Sequence, residues 1–331
     1  MAGDNMRSLF VTLLAAAALS SAATAAYAAD AADSYPDKPI HLVVPYTTGG
    51  GNDTVARALA KSISVSLHAN VIVENRPGAN GVTAYEYVAR ADPDGYTLFM
   101  ANTGSHAINP SLYKHLRYDP VKDFTPISEI AILPNVLVVS SKSNIHTLAE
   151  LETYLRAHPE SAMYGSAGVG STQHLSGAMF SSALKIKMEH VPYKGTAPIL
   201  TDLLGGRLLM SFANIVAVLP QIKNGDLVPL AVTSEQRVAS LPDVPTVGET
   251  VKGFSAPVWF GLVSSKGVPQ PIVAKLNEAV HQFVTNPEGK SQLAFIGAEP
   301  KWSTPADFAA LIASDGRKWA KVVQESGATA E

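Results

Sequence analysis

Two stretches of this chain combine glycines, hydroxyls and a helix start in a way that could hold an anion. The first is Pro45-Tyr46-Thr47-Thr48-Gly49-Gly50-Gly51-Asn52-Asp53, and the second is Gly165-Ser166-Ala167-Gly168-Val169-Gly170-Ser171-Thr172-Gln173-His174. Glycine permits positive φ and close approach of the backbone. A helix start presents free N–H groups and a partial positive charge. Together they make an anion site from backbone alone. Neither stretch contains Lys or Arg. The charge of a ligand would be met by amide dipoles, by hydroxyls such as Thr48, Ser166 and Ser171, and by water, which suits reversible capture. The competing reading of the first loop is a tight strand-to-helix turn capped by Asp53. One loop of this kind is weak evidence; two, in separate parts of the chain, are stronger, since they could close on one anion from both sides.

Three further loops are weaker candidates. Asn102-Thr103-Gly104-Ser105-His106 is rich in donors and carries Ser105. Val191-Pro192-Tyr193-Lys194-Gly195-Thr196-Ala197 carries Tyr193. Phe212-Ala213-Asn214 ends a strand, with Asn214 a site residue or a helix cap. Catalytic patterns are missing from the sequence. There is no G-x-S-x-G elbow and no H-E-x-x-H, and no two His residues lie three or four apart, so a helical zinc pair is not expected. Ser171 and His174 could be read as nucleophile and base of a hydrolase, but no orienting third group is identifiable, and His174 reads better as a donor behind the loop. Neither loop is a P-loop or a G-x-G-x-x-G turn, so no cofactor is expected. No catalytic residue and no metal site is assigned, and the chain is read as a non-enzyme.

The elements that must position these loops follow from periodicity. Strands are expected at Ile40 to Pro45, Val71 to Glu74 and Tyr96 to Met100, separated by helices at Asp53 to Val65 and Thr83 to Ala91. This βαβαβ run predicts a parallel sheet covered by helices. The pattern then restarts. Strands are expected at Asn135 to Ser140, Ala162 to Ser166, Met188 to Pro192, Leu208 to Phe212 and Val228 to Val232. Helices are expected at Leu148 to Ala157, Thr172 to Leu184, Pro198 to Leu204 and Val216 to Lys223. A strand near Trp259 to Val263 and helices at Pro271 to Val284 and Pro305 to Gln324 complete the chain. Two α/β units without a flexible linker imply a cleft, and ligands of open α/β sheets bind at the carboxyl ends of strands.

Composition narrows the function. The 331 residues hold 25 Lys+Arg against 28 Asp+Glu, a net charge of −3, and no basic stripe, so nucleic acid is not an expected partner. Cys is 0, which removes disulfides, thiol nucleophiles and cysteine-held metals. Arg7, the apolar run Leu9 to Leu19 and the small-residue ending Ala26-Tyr27-Ala28 read as an export signal (residues 1–28) cleaved near Ala28; Met6 is an alternative start. The alternative is a membrane anchor, for which the strongly apolar part is too short. The expected location is the periplasm, where ATP and NAD are scarce.

Several motifs in order identify a resemblance. Tyr35-Pro36-Asp37-Lys38-Pro39-Ile40, Val43-Val44-Pro45-Tyr46 and Gly49-Gly50-Gly51-Asn52-Asp53 resemble the opening of the Bug (TctC-like) solute receptors of tripartite tricarboxylate transporters. Val73-Glu74-Asn75-Arg76-Pro77-Gly78-Ala79, Asp92-Pro93-Asp94-Gly95-Tyr96-Thr97-Leu98, Tyr118-Asp119-Pro120-Val121-Lys122-Asp123-Phe124, Gly170-Ser171-Thr172-Gln173-His174-Leu175, His190-Val191-Pro192-Tyr193-Lys194-Gly195 and Leu241-Pro242-Asp243-Val244-Pro245-Thr246 extend it to the C-terminus. The resemblance implies an α/β type II periplasmic-binding-protein fold, two α/β lobes with a ligand cleft and two crossovers. Lobe one would be 35–131 plus 253–331, and lobe two 132–252.

The resemblance also implies capture of a small carboxylate: a di- or tricarboxylate, an acidic amino acid or an aromatic carboxylate. It carries ligand contacts onto Thr47 to Asp53 and Ser166 to Thr172. Together with the loop reading above, the expected site residues are Tyr46, Thr48, Gly50, Asn52, Asp53, Ser105, Ser166, Ala167, Gly168, Gly170, Ser171, Thr172, His174, Tyr193 and Asn214, with Ser105 and Tyr193 toward the far end of the ligand. Thr47 and Thr48 stand where the family usually has Ala or Pro, and Asn52 where Thr or Ser is common, which would alter the preference for the far end of the ligand. Expected partners are membrane subunits of a tripartite transporter or, alternatively, a sensor kinase. A monomer is expected.

Overall fold

A computed structural model describes residues 34–193 and 195–330. The expected export signal with its cleavage site near Ala28, and Lys194 of the Tyr193 loop, lie outside the described residues.

The chain forms β1 (Ile40–Val44), α1 (Gly51–Ser66), β2 (Val71–Asn75), α2 (Val82–Ala89), β3 (Thr97–Asn102), α3 (Asn109–Leu112) and β4 (Phe124–Leu133). Next come β5 (Asn135–Ser140), α4 (Leu148–Ala157), β6 (Met163–Ser166), α5 (Thr172–Leu184), β7 (Glu189–Pro192), α6 (Thr196–Leu204), β8 (Met210–Asn214), α7 (Ile215–Lys223) and β9 (Leu227–Val232). The remainder is α8 (Val247–Thr250), β10 (Val258–Ser265), α9 (Gln270–Thr285), α10 (Pro287–Phe295), β11 (Glu299–Pro300) and α11 (Pro305–Ser326). None of the described helices is long and apolar enough to cross a membrane.

Two sheets result. One has the order β11-β4-β10-β3-β1-β2 and the other β7-β6-β8-β5-β9. The chain passes between them at Pro134, which separates β4 from β5, and again in the segment joining β9 to β10. The purely parallel sheet expected from the βαβαβ pattern is corrected. β1 runs parallel to β2 and β3, but β10 enters antiparallel between β3 and β4. In the second sheet β6 is parallel to β7 and β8, whereas β5 is antiparallel to β8 and β9. A strand is forced parallel only when a crossover helix returns the chain to the same edge. β5 and β10 instead enter their sheets from the other sheet.

β4 and α10 were not anticipated. Pro126 and Glu129 interrupt the apolar pattern of β4. Both fall in its ladder with β10, where the register shifts twice, and a bulged ladder tolerates a proline. α10 buries only Gly289 and Leu293, so it leaves almost no helical period to read.

Alternation of side chains builds two cores, each reaching through both sheets. Leu98 and Met100 of β3 point into one with Val136 and Val138 of β5. Phe99 and Ala101 point into the other with Leu137 and Val139. α1 covers the first core with the stripe Val55, Ala56, Leu59 and Ile63, spaced as one helix face requires. α11 covers the second with Phe308, Ile312 and Trp319. These rigid layers hold the loops at the strand ends.

Candidate functional site

The loop after β1 is held by Asp53, the third residue of α1. Its carboxylate accepts from the Gly49 N–H (2.9 Å), Asn75 Nδ2 (2.9 Å) and Arg57 Nε (3.0 Å). Burial pushes the Asp53 carboxyl up, but these bonds outweigh it and hold the group below the usual carboxylate range. Both oxygens are therefore already engaged, Oδ2 by the loop and Arg57 and Oδ1 by Asn75, and Asp53 positions the loop. Asn75, at the end of β2, adds a second tie. It donates to the Tyr46 carbonyl (3.0 Å) and accepts from Thr48 Oγ1 (3.3 Å) and Arg57 Nη2 (3.1 Å). Tyr46 O–H reaches Asn80 Oδ1 at 3.2 Å and Asn102 Oδ1 at 3.5 Å.

The three glycines play different parts. Gly49 takes φ +88°, where a Cβ would be strained; Gly50 does not, at φ −78°. Gly51 lies close to the second sheet's side: a Cβ there would make ordinary contacts with Val216 Cγ2 at 3.4 Å and Asn214 Oδ1 at 3.5 Å. The start of α1, from the first sheet, thus rests on the start of α7, from the second. Gly50 is the cap residue of α1 and carries no side chain to satisfy the first-turn amides. The N–H groups of Gly51, Asn52 and Asp53 are left without an intrahelical acceptor at the positive end of a 16-residue helix.

The second loop is more self-contained. Ser171 caps α5, its Oγ accepting from the His174 N–H (3.2 Å) and donating to the Gly168 carbonyl (2.7 Å). The Gly170 N–H donates to His174 Nδ1 (3.1 Å), the Ala167 N–H to Gln173 Oε1 (2.9 Å) and the Gly168 N–H to Ser166 Oγ (3.2 Å). Ser166 Oγ also bonds His190 Nε2 at 2.6 Å. The His174 and His190 rings stack at 3.8 Å. Burial, with His190 close by, pushes His174 down to about 4, and burial takes His190 down to about 4, so both rings are neutral at pH 7. With Nδ1 accepting, neutral His174 carries its proton on Nε2. His174 thus accepts at Nδ1 and keeps its donor on Nε2, and Ser171 meets its backbone, not its ring. A nucleophile–base pair is not assembled there. The open donors are the Thr172 and Gln173 N–H groups in the first turn of α5. Gly170, at φ +76°, fits because its Cβ would lie 2.0 Å from Leu112 Cδ2, so this loop seats against α3.

Ser105 is fully buried, and its Cβ lies 3.3 Å from where a Gly81 Cβ would be. Tyr193 turns elsewhere: its hydroxyl donates to Asp202 (2.7 Å), which also binds Arg207. Asn214 caps α7 through its bond from the Val216 N–H (3.1 Å) and abuts Gly51. The structure therefore joins Tyr46, Thr48, Gly49–Asp53, Asn102, Ser105 and Asn214 around the start of α1, and leaves the Tyr193 hydroxyl outside that set.

Sequence reasoning missed Asn75, Asn80 and Asn135. Asn75 ends β2 and Asn135 begins β5, so a strand boundary is the signal that marked those two, whereas Asn80 lies in the turn before α2 at φ +50°. Size alone would mislead. A concavity of about 770 Å³ is lined by Lys38, His41, Arg76, Tyr87 and Tyr96, away from both loops. Its Lys38 and Arg76 are paired with Asp94 and Glu74 and lie over the Tyr96 and Tyr87 rings. Among the described residues no His/Asp/Glu cluster of metal-holding geometry occurs.

A profile described as the tripartite tricarboxylate transporter family receptor matches residues 55–328. Protein BugT of Bordetella pertussis is 34% identical over 318 residues, covering 96% of this chain and 98% of that one. R. palustris Rpa4515, solved with adipate, superposes with a TM-score of 0.83 at 36% identity, covering 89% of this chain and 99% of that one. MatC (Rpa3494) from Rhodopseudomonas palustris, solved with bound malate, has a TM-score of 0.77 at 32% identity, covering 87% and 100%. The two-lobe periplasmic-binding-protein fold expected from the sequence is the fold of these neighbours.

Proposed function

This chain belongs to the tripartite tricarboxylate transporter receptor family, and from that premise we propose that it is a periplasmic receptor that captures a small organic anion and delivers it to the membrane subunits of such a transporter. The observation that carries this reading is the uncapped start of α1. Three backbone amides at the positive end of a long helix face no intrahelical acceptor, beside exposed Thr47 and Thr48 and buried Asn52. A carboxylate supplies the missing acceptor. Adipate and malate, the ligands of Rpa4515 and MatC, are both carboxylates.

In this reading Tyr46, Thr48, Gly50 and the backbone N–H of Asn52 hold the anion from one side, with Asp53 and Asn75 fixing the loop. The Thr172 and Gln173 amides approach from the other, on a loop whose shape Ser166, Gly168 and Ser171 hold by bonding to one another and to His190 and His174. Residues 35–131 plus 253–331 form one lobe and 132–252 the other. The membership of each sheet supports that division. The lobes swing at Pro134 and at the segment between β9 and β10, and ligand shifts the population toward the closed form. The reaction is capture; no bond is made or broken. The chain is exported with cleavage near Ala28 and acts as a monomer.

The test is thermal unfolding against a panel of carboxylates and acidic amino acids. A ligand at about 100 times its dissociation constant adds about 2.7 kcal/mol, or about 4–5 °C for a chain of this size. Gly50→Asp is the decisive variant. Position 50 is exposed and extended, with only the Thr47 carbonyl, at 3.8 Å, near a new Cβ. The new carboxylate would cap α1, stabilising the fold by roughly a few tenths of a kcal/mol over Gly, while occupying the ligand's amides. Stability gained with binding lost supports the site. A flat panel on folded wild-type protein sinks the carboxylate reading, and unchanged binding in Gly50→Asp sinks the placement.

A further inference from the structure

α1 buries one polar side chain in its apolar stripe. Asn52 precedes Val55, Ala56, Leu59 and Ile63 on the same face, is 4% exposed, and has no partner for either carboxamide atom. Two more buried amides share this junction. Asn102, at the end of β3, accepts at Oδ1 from the Ser105 N–H (3.2 Å), while its Nδ2 has no partner. Asn135, the first residue of β5, is fully buried and has no partner at Nδ2 or Oδ1.

Register ties the three together. Asn102 lies opposite Phe260, whose Cε2 is 3.7 Å from where a Gly51 Cβ would be. Asn135 lies opposite Asn214, whose Oδ1 is 3.5 Å from that same point. Asn52 is the next residue. The three thus belong to the elements that meet at the start of α1: Asn52 in its first turn, and Asn102 and Asn135 each opposite a residue that borders Gly51.

A buried amide atom without a partner costs about 1–3 kcal/mol, and an apolar side chain of similar size would avoid that. Three donors and two acceptors are left open here, which a stable core would not retain without an occupant. The open groups come from three uncharged side chains, and the nearby carboxylate of Asp53 is already bonded three times. A second carboxylate would meet two carbonyl oxygens with no cation in the set. A group that both donates and accepts, and carries no charge, matches it.

We propose that Asn52, Asn102 and Asn135 form a subsite for an uncharged hydroxyl or carboxamide at the far end of the ligand, so that the receptor takes hydroxy- or amido-monocarboxylates in preference to diacids. The inference rests on the reading that a carboxylate sits at the start of α1.

Calorimetric titration of the full folded chain with two matched series tests it. The four-carbon series is succinate, succinamate, 4-hydroxybutyrate and butyrate; the five-carbon series is glutarate, glutaramate, 5-hydroxypentanoate and pentanoate. At one length or both, the amide or hydroxy acid should bind at least about tenfold tighter than the diacid and the methyl-ended acid, because a site built to hydrogen-bond rejects partners that leave it unpaired. Asn52→Leu should remove that preference, and Asn52→Asp, which keeps the shape, should remove it too. The proposal is overturned if the diacid is tightest at both lengths, or if the preference persists in either folded variant. An Asn52→Leu protein that melts higher with an unchanged ligand ratio would show the amides to be structural only. If no acid in either series binds, the carboxylate reading itself fails, and the subsite with it.

Discussion

Replacing Asp53 by Asn separates what holds the loop from what holds the ligand. The change keeps the shape but turns one acceptor into a donor. Asp53 accepts from the Gly49 N–H, Asn75 Nδ2 and Arg57 Nε at 2.9–3.0 Å. All three are donors, so an amide nitrogen must face at least one of them. Bonds to charged groups are worth about 1.5–3 kcal/mol each, and an unmatched buried donor costs about 1–3 kcal/mol. Some of that is recovered because Arg57, half-exposed, can turn to water. The net loss should be about 2–4 kcal/mol, which for a chain of this length lowers the unfolding midpoint by about 3–6 °C. Two effects on ligand affinity oppose each other. Removing a negative charge would favour an anion, whereas loosening Gly49 and Thr48 would disfavour it. Arg57 already neutralises Asp53 at 3.0 Å, so the second effect wins. Affinity for the tightest carboxylate should fall about tenfold, with the ranking of ligands unchanged, because Asp53 touches the loop and not the far end. Thermal unfolding and calorimetry check both halves. A midpoint within about 1 °C of wild type, or affinity that rises, would refute the account of the loop.

Acid should destabilise the fold over a defined window. His174 and His190 are held near 4 when folded, against about 6.5 when unfolded, so the unfolded chain binds more protons between those values. The contribution of these two rings should be full above about pH 6.5 and fall toward pH 4, by at most about 1.4 kcal/mol per pH unit for each, with less from the partly exposed His190. Unfolding midpoints measured across that range should show a shallower slope in His190→Gln, and an equal slope would count against the stacked pair as the source. Ser171→Ala should cost about 1 kcal/mol through loss of the α5 cap. It should leave no turnover to lose, and an esterase or amidase activity abolished by it would restore the hydrolase reading.

Much of the architecture was legible because its signals are local. The spacing of Val55, Leu59 and Ile63 announces α1, and Thr304 followed by Pro305 announces α11. The two glycine loops stand out by composition alone. β4 was hidden because a bulged ladder absorbs the Pro126 and Glu129 that break its pattern, and α10 because it buries almost nothing. At the site, the sequence could mark Thr48, Ser166 or Ser171 as able to bind. Whether each was open or already engaged could not be read, since its partner lies elsewhere in the chain.

The residues alone determined most of the elements, the two loops at strand ends and the family, because periodicity, caps and glycine-rich turns are properties of short stretches. Only the tertiary structure decided the direction of β5 and β10, the engagement of Asp53 with Asn75, and the withdrawal of Tyr193 to Asp202. It also placed Asn52, from the first sheet's side, beside the junction that holds Asn135 of the second. Hydrogen bonds reach only about 3 Å, so the availability of a donor depends on which distant residue packing brings within that range.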